Sequence, residues 1–319
     1  MRQSGARIIR AFLFPGQGSQ AVGMGRALAD ASPVAREVFQ EVDEAIGQNL
    51  FKLMTEGPDD ELTLTENAQP AIMANAIATL RVLEREGGIR ISEKAQFVAG
   101  HSLGEYTALC AADGIALSLA ARLLKIRGRA MQNAVPVGIG GMAALLGATL
   151  EQAQAIADAA AEGEVCTVAN DNAAGQVVIS GHIGAIERAV AMAKDMGAKR
   201  GMMLAVSAPF HCSLMQPAAD LMLHALKAAR IDTPLVALYA NVLAAPITVP
   251  DEIRARLVDQ VTGVVRWRET MLAMRAAGVE DYVEFGAKVL GPMAKRTVED
   301  ANTMSIVTMA DIEALAKAI

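Results

Sequence analysis

The chain has 319 residues, of which 53% are hydrophobic and 20% charged, so it can bury a large core and is not intrinsically disordered. Its 35 acidic residues outnumber its 29 basic residues, and the formal net charge of −6 argues against nucleic-acid binding through a broad basic surface. Cys110, Cys166 and Cys212 form neither a disulfide framework nor a CxxC pair. Since an odd cysteine count fits a reducing compartment and no uncharged run reaches membrane length, we expect a cytoplasmic protein that does not contact membranes.

The first part of the chain predicts a strand, a loop and two helical regions. Residues 8–14 predict the strand, and residues 15–20 form the loop at its C-terminal end, where ligand-binding loops cluster in α/β sheets. Helical patterns cover residues 24–55 and 68–86. Pro70 then falls in the first turn of the second helix, where proline is tolerated.

A serine flanked by glycines lies between a predicted strand and a predicted helix. Residues 95–99 are apolar, residues 103–112 have a helical pattern, and Gly100, Ser102 and Gly104 match the pattern G-x-S-x-G. In a nucleophile elbow of this kind the serine occupies a strained turn, and the glycines allow the turn without Cβ clashes. The following helix directs free N–H groups toward whatever the serine attacks.

A helix is predicted over residues 117–133, and its apolar stripe contains one arginine, Arg127. Arg122, Lys125 and Arg129 lie off the stripe and are expected to face solvent. An inward guanidinium needs a buried carboxylate or a ligand, and the spacing alone leaves both a structural salt bridge and a ligand-binding role open.

After a glycine-rich linker the pattern changes to strand, helix, strand, strand, helix, strand, the order of the ferredoxin-like fold. Beyond it strands again alternate with helices, which implies a mainly parallel sheet covered on both faces. We therefore expect an α/β protein with an α/β-hydrolase-like core, residues 1–140 and 207–319. The inserted ferredoxin-like (βαββαβ) subdomain comprises residues 141–206.

The serine needs a base, and histidine is the usual base near neutral pH. Among four histidines, His211 is the candidate because it follows a proline at an element boundary, where a loop residue can face a cleft. We expect structural roles for His101, which would point away from the serine, and for His182 and His224.

The acid of a full triad is not evident, because Asp171, Asp220 and Asp232 lack a recognisable triad context. A backbone or side-chain carbonyl could orient the imidazole instead. The N–H of Leu103 and a group from the loop of Gln17 are in suitable places for an oxyanion hole. That loop lacks the phosphate-binding lysine and spacing of nucleotide sites, and no metal-ligand spacing occurs, so we expect neither a metal nor a cofactor.

Five segments occur in an order that resembles one known family. They read FPGQGSQ at residues 14–20, GHSLGE at 100–105, RGRAMQ at 127–132, NAAGQVVISG at 172–181 and PFHCSLM at 209–215. Together they resemble the malonyl-CoA:acyl carrier protein transacylases of type II fatty acid synthesis, a lipid biosynthetic pathway, over about residues 10 to 310.

The resemblance implies an acyltransferase with a ping-pong mechanism. Ser102 would attack the thioester of malonyl-CoA with His211 as the base, and His211 would then protonate the leaving thiol. The backbone N–H groups of Leu103 and Gln17 would hold the oxyanion. The phosphopantetheine thiol of acyl carrier protein would then attack the malonyl-serine.

The resemblance also assigns the carboxylate site and the third triad position. Arg127 matches the arginine that would bind the malonyl carboxylate bidentately. A carbonyl takes the third triad position in this family, and the aligned residue is Gln260. Phe210 resembles the residue before the histidine in malonyl-selecting domains. We expect malonyl-CoA and acyl carrier protein as partners, and a monomer without a cofactor.

Other interpretations remain open from the sequence. A serine hydrolase of the esterase type would share the elbow, and a binding module without catalysis would keep it as a relic. An acidic carrier protein would need a local basic surface, for which residues 199–200 and 295–296 are candidates. The segment at residues 284–290 is one residue shorter than the family pattern, which leaves the shape of that loop open.

Overall fold

The computed structural model describes residues 8–206 and 208–319, in which ten strands and fifteen α-helices form. The strands are β1 (Ile9–Phe14), β2 (Phe97–Gly100), β3 (Gly140–Leu146), β4 (Cys166–Ala173), β5 (Gln176–His182), β6 (Arg200–Met203), β7 (Ala237–Ala240), β8 (Ala245–Ile247), β9 (Val279–Phe285) and β10 (Asn302–Ile306). The helices are α1 (Arg26–Ala31), α2 (Pro33–Ile46), α3 (Leu50–Glu56), α4 (Asp59–Thr63), α5 (Thr65–Arg85), α6 (Ile91–Lys94), α7 (Gly104–Ala111), α8 (Leu117–Asn133), α9 (Leu150–Ala161), α10 (Ile183–Met192), α11 (Gln216–Ala228), α12 (Pro250–Thr262), α13 (Trp267–Ala276), α14 (Leu290–Thr297) and α15 (Met309–Ala318). The expected domain limits at residues 1 and 207 lie outside the described residues.

The larger sheet has six strands in the order β10-β9-β1-β2-β7-β8. Its neighbouring strands are parallel except for β7 and β8, which are antiparallel. In the central strand β1, Phe12 and Phe14 pack into one apolar cluster, and Ala11 and Leu13 pack into another. Alternate side chains of a strand point to opposite faces, so both faces of this sheet are covered. The predictions of a mainly parallel sheet and of a first strand at residues 8–14 are confirmed.

The smaller sheet is antiparallel, with four strands in the order β4-β5-β3-β6. One face packs against α9 and α10 in an apolar cluster of its own. Met142, Ala144 and Val178 belong to the main cluster of the larger unit instead. The element order of this segment is the predicted one, and its second face is turned toward the larger sheet.

A buried ion pair ties the two sheets together. The carboxylate of Asp171 on β4 is 1% exposed and accepts two hydrogen bonds of 3.0 Å from Nε of Arg268 on α13. The neighbouring backbone N–H of Asp171 donates to the carbonyl of Val265 at 3.0 Å. The position of the smaller sheet over the larger one therefore depends on a specific polar contact as well as on apolar packing.

Two predicted helical regions differ from the observed ones. The pattern over residues 24–55 is divided among three helices because Ser32 caps α2 and Gly47, with φ +64°, ends it. Helix α5 begins at Thr65, so Pro70 lies inside the helix and not in its first turn. Almost the whole of α5 is buried, and tertiary packing of this kind overrides the local cost of a proline.

None of the helices within residues 8–206 and 208–319 is long and apolar enough to cross a membrane.

Replacing Arg268 with alanine should destabilise the protein, because Asp171 would remain buried without its cation. We expect a loss of about 3 kcal/mol in the free energy of unfolding, measured by urea denaturation. Arg230→Ala is the matched control, since the Arg230–Asp232 pair is exposed and should contribute less than about 1 kcal/mol. Equal losses in the two variants would contradict a holding role for the buried pair.

Candidate active site

The predicted elbow forms where β2 ends at Gly100 and α7 begins at Gly104. Ser102 lies between them with φ +52°, a left-handed conformation that is strained for serine. A Cβ on Gly100 would come within 1.8 Å of the Gly104 carbonyl oxygen, and one on Gly104 within 2.3 Å of the Phe14 carbonyl oxygen. Both glycines are therefore required by close backbone approach.

His211 lies beside the serine, with its Nε2 2.8 Å from the Ser102 hydroxyl oxygen. Its Nδ1 lies 2.9 Å from the backbone carbonyl oxygen of Gln260. A carbonyl only accepts, so Nδ1 carries the proton and Nε2 is left to accept from the serine. Burial and the nearby charge of Arg127 lower the pKa of His211 to about 3, so the imidazole is neutral near pH 7 and able to take the serine proton.

The carboxylates considered for a triad are engaged elsewhere. Asp171 pairs with Arg268, Asp232 pairs with Arg230, and Asp220 accepts from a glutamine one turn earlier on its helix. Among the described residues, the third partner in line with Ser102 and His211 is thus the Gln260 carbonyl.

Arg127 is 1% exposed and directs its guanidinium at the serine. Its Nη2 donates to the Ser102 hydroxyl at 3.1 Å and to the side-chain oxygen of Gln260 at 2.8 Å. Its Nη1 donates to the side-chain oxygen of Gln69 at 2.8 Å, and the guanidinium lies 5.7 Å from the ring centre of Tyr106. These partners are neutral, and within the described residues no carboxylate pairs with Arg127. Of the two roles that the spacing left open, the structure disfavours the salt bridge.

A cavity of about 260 Å³ opens in front of these groups, and its walls come from both sheets. Ser102, Arg127 and His211 line it from the larger unit, while Met142 and Val178 line it from the smaller sheet. The site therefore lies between the two sheets.

The predicted oxyanion donors flank the elbow. Gln17 lines the cavity, and Leu103 follows the serine directly. Their backbone N–H groups donate no hydrogen bond to any part of the chain that the structure describes. Both donors are thus free to bind an oxygen anion.

A sequence model of the acyl transferase domain matches residues 11–311. The chain belongs to this family. Malonyl CoA-acyl carrier protein transacylase of Haemophilus influenzae is 42% identical over 306 residues, 96% of this chain and 97% of the relative. The enzyme of the same name from Bacillus subtilis strain 168 is 41% identical over 298 residues, 93% of this chain and 92% of the relative.

Solved structures of acyltransferases have the same fold. Acyl-carrier-protein-S-malonyltransferase from Bartonella henselae is 49% identical with a TM-score of 0.95, covering 98% of this chain and 99% of that one. The complex PlMCAT:AntF, a type II PKS acyl-carrier protein with its malonyl-transacylase, gives 38% identity, a TM-score of 0.94 and coverages of 98% and 100%.

The acyltransferase site contains two buried residues to which the sequence assigned no role. The carboxylate oxygen Oε2 of Glu105 accepts from Gln260 Nε2 at 2.7 Å and from the backbone N–H of Asn241 at 3.1 Å. The side-chain oxygen of Asn241 accepts from the backbone N–H of Ser102 at 2.8 Å. A glutamate in an otherwise apolar helix start was a signal for such a contact, whereas Asn241 carried none.

The other three histidines, His101, His182 and His224, lie at separate places in the fold. Nε2 of His101 lies 2.7 Å from the side-chain oxygen of Asn172, although His101 also lines the cavity. Nδ1 of His182 accepts from the backbone N–H of Val165 at 2.9 Å, and His224 is exposed. These three side chains do not join the contact between Ser102 and His211.

The shortened segment after β9 forms an ordered turn around Glu284. Its buried carboxylate accepts hydrogen bonds from the backbone N–H groups of Val289, Leu290 and Gly291, at the start of α14. Gly286, with φ +87°, allows the chain to reverse there. Val289 and Leu290 then line the cavity.

Replacing Gly104 with alanine should disrupt the elbow, because the new Cβ would meet fixed backbone atoms. We expect a loss of about 3 kcal/mol or more in the free energy of unfolding, measured with urea. The control is Gly184→Ala on α10, where the Cβ would meet only the ends of flexible side chains and helix propensity should improve stability by up to about 1 kcal/mol. A Gly104→Ala protein as stable as this control would refute the steric argument.

Proposed function

We propose that this protein transfers a malonyl group from malonyl-CoA to the phosphopantetheine thiol of acyl carrier protein through a malonyl-Ser102 intermediate. One observation carries the proposal: the unpaired charge of Arg127 lies beside a serine that is hydrogen-bonded to a neutral histidine. A substrate with a reactive acyl carbon and a nearby carboxylate needs both groups. The names of the relatives and the carrier-protein complex among similar structures support the same reaction.

In the first half-reaction the Ser102 hydroxyl attacks the thioester carbonyl while His211 Nε2 takes its proton. The N–H groups of Leu103 and Gln17 hold the oxyanion of the tetrahedral intermediate. The carbon–sulfur bond then breaks, and His211 returns the proton to the departing CoA sulfur. The Gln260 carbonyl keeps the imidazole in the required tautomer and stabilises it while it is charged.

The second half-reaction is the reverse process with a different thiol. His211 takes the proton of the phosphopantetheine thiol, and the sulfur attacks the malonyl-serine ester. Collapse of the intermediate breaks the ester bond, and His211 gives the proton back to the Ser102 oxygen.

The short reach between Arg127 and the serine fits a malonyl group in particular. A single methylene separates the acyl carbon of malonate from its carboxylate, so the anion stays near the reacting carbon. Arg127 Nη2 is 3.1 Å from the serine oxygen, which suits this short diacid. Phe210, 7% exposed, lines the same cavity, and we propose that its ring restricts substituents on the methylene.

We also propose that the chain consists of an α/β-hydrolase-like core and a ferredoxin-like subdomain. The strand order β6-β3-β5-β4 and the element order of residues 141–206 support a ferredoxin-like subdomain. The parallel sheet with a serine elbow after one of its strands supports an α/β-hydrolase-like core of residues 1–140 and 207–319. Residues 199–200 and 295–296 are exposed basic pairs and are our candidates for contact with an acidic carrier protein.

Brief incubation with malonyl-CoA should add one malonyl mass to Ser102, detected by intact-protein and peptide mass spectrometry. Ser102→Ala should show no adduct, and added acyl carrier protein with its phosphopantetheine should discharge the wild-type adduct. Release of free malonate faster than transfer to the carrier protein would instead indicate a hydrolase. Binding of CoA without any adduct would indicate a binding module.

Arg127→Ala should lose the preference for malonyl-CoA over acetyl-CoA. Loss of a charge-assisted bidentate contact should lower the rate of malonyl loading about 100-fold while lowering acetyl loading much less. Arg122→Ala, an exposed position on the same helix, is the matched control and should keep the wild-type preference. Retention of full malonyl preference in Arg127→Ala would show that the carboxylate binds elsewhere.

A further inference from the structure

Glu105 is a buried carboxylate behind the elbow that the transfer mechanism does not use. It is completely buried, and no cation lies within ion-pair distance among the described residues. Both hydrogen bonds that it accepts reach the same oxygen, Oε2, while Oε1 is buried and has no partner in the described part of the chain. Burying a carboxylate without a paired cation and with one oxygen unpartnered costs stability.

The carboxylate is the nearest of three oxygens that favour one orientation of the Gln260 amide. The Gln260 Nε2 donates to Glu105 at 2.7 Å and to the Ser102 carbonyl at 3.0 Å, and its Oε1 accepts from Arg127 at 2.8 Å. With the amide reversed, its oxygen would face three oxygens, those of Glu105, Ser102 and Asn241, and its N–H groups would face the guanidinium. The negative charge of Glu105 therefore favours the orientation in which Gln260 can receive Arg127.

Gln260 and Gln69 hold the guanidinium from behind. Each accepts one N–H, from Nη2 and Nη1 of Arg127 respectively. Each of these nitrogens carries two hydrogens, so a second N–H remains on each, and the second N–H of Nη2 donates to Ser102. Two N–H groups on the terminal nitrogens of one guanidinium can bind a carboxylate bidentately.

We propose that Glu105 is a positioning residue for acyl selection: it orients the Gln260 amide, and through that amide it holds Arg127 in place for the substrate carboxylate. The proposal rests on the role of Arg127 in the proposed function. It differs from a purely structural role, in which Glu105 would only anchor Asn241 and the elbow.

A double-mutant cycle with Glu105→Gln and Gln260→Ala separates the two roles. The readout is the ratio of malonyl to acetyl loading rates on Ser102, measured by intact-protein mass spectrometry with malonyl-CoA and acetyl-CoA. Glu105→Gln keeps an acceptor oxygen but removes the charge, and the ratio should fall roughly tenfold. In the Gln260→Ala background, which retains the backbone carbonyl for His211, the same change should alter the ratio by less than about twofold.

Two outcomes of the cycle would overturn the proposal. One is an equal fall in malonyl and acetyl loading in Glu105→Gln, which a structural role predicts. The other is the same tenfold effect with and without the Gln260 side chain. If the wild-type protein loads no malonyl group at all, the proposed function fails. If the wild-type protein loads malonyl and Glu105→Gln keeps the wild-type ratio, the proposed function stands and the positioning role of Glu105 fails.

The pH dependence of the same ratio gives a second test. Burial raises the pKa of Glu105 to about 7, against the lowering effects of Gln260, Asn241 and Arg127. Four other titratable groups face this region. Burial lowers the pKa of Arg127, although a guanidinium stays protonated in proteins, raises the pKa of Tyr106, and lowers the pKa values of His101 and His211.

The wild-type ratio should therefore fall as the pH is lowered from 8 to 6 and Glu105 loses its charge. In Glu105→Gln and in Gln260→Ala the ratio should be flat over this range. A wild-type ratio that does not change with pH would contradict the proposal, even if Glu105→Gln does not fold. Asp281→Asn, which weakens a buried ion pair with Arg10 on the larger sheet, controls for stability and should keep the wild-type ratio.

Discussion

The positive charge of Arg127 lies buried 3.1 Å from the Ser102 hydroxyl, and its neighbours accept its hydrogen bonds without neutralising it. This charge affects the pKa values of the neighbouring titratable groups. The charge helps to keep His211 neutral and able to accept a proton, and it opposes the rise in the pKa of Glu105 that burial causes. A guanidinium balanced by a directly bonded carboxylate would have little remaining attraction for an anionic substrate. Indirect balance through the amide of Gln260 leaves that attraction available.

Gln260 contacts both His211 and Arg127, which are both hydrogen-bonded to the Ser102 hydroxyl. Its backbone carbonyl orients His211, and its side chain contacts Arg127, Glu105 and the carbonyl of Ser102. The contact between Ser102 and His211 and the guanidinium of Arg127 therefore depend on one residue of α12, so a shift of this helix would disturb both together. The cavity is lined by residues of both sheets, and the contact of Asp171 with Arg268 joins the smaller sheet to a helix of the larger unit.

Local sequence patterns predicted the serine elbow and the inward arginine of the site. They did not predict the buried residues that pack behind these groups. The elbow followed from two glycines and a serine between a strand and a helix, and the inward direction of Arg127 followed from helical spacing. Glu105 could not be connected to Gln260 in advance, because 155 residues separate them and only packing of the folded chain brings them together. The division of residues 24–55 into three helices was not predicted for a different reason. A serine cap and a left-handed glycine interrupt a continuous apolar pattern that suggested one longer helical region.

Ser102 and His211 both have left-handed backbones, with φ of +52° and +58°, although neither is glycine. Each such residue stores about 1 kcal/mol or more of conformational strain. Glycine at either position would relax the backbone while removing a reacting group. Under the proposed function, a substitution that relaxes either position would therefore also abolish activity, so part of the conformational strain is inseparable from the chemistry.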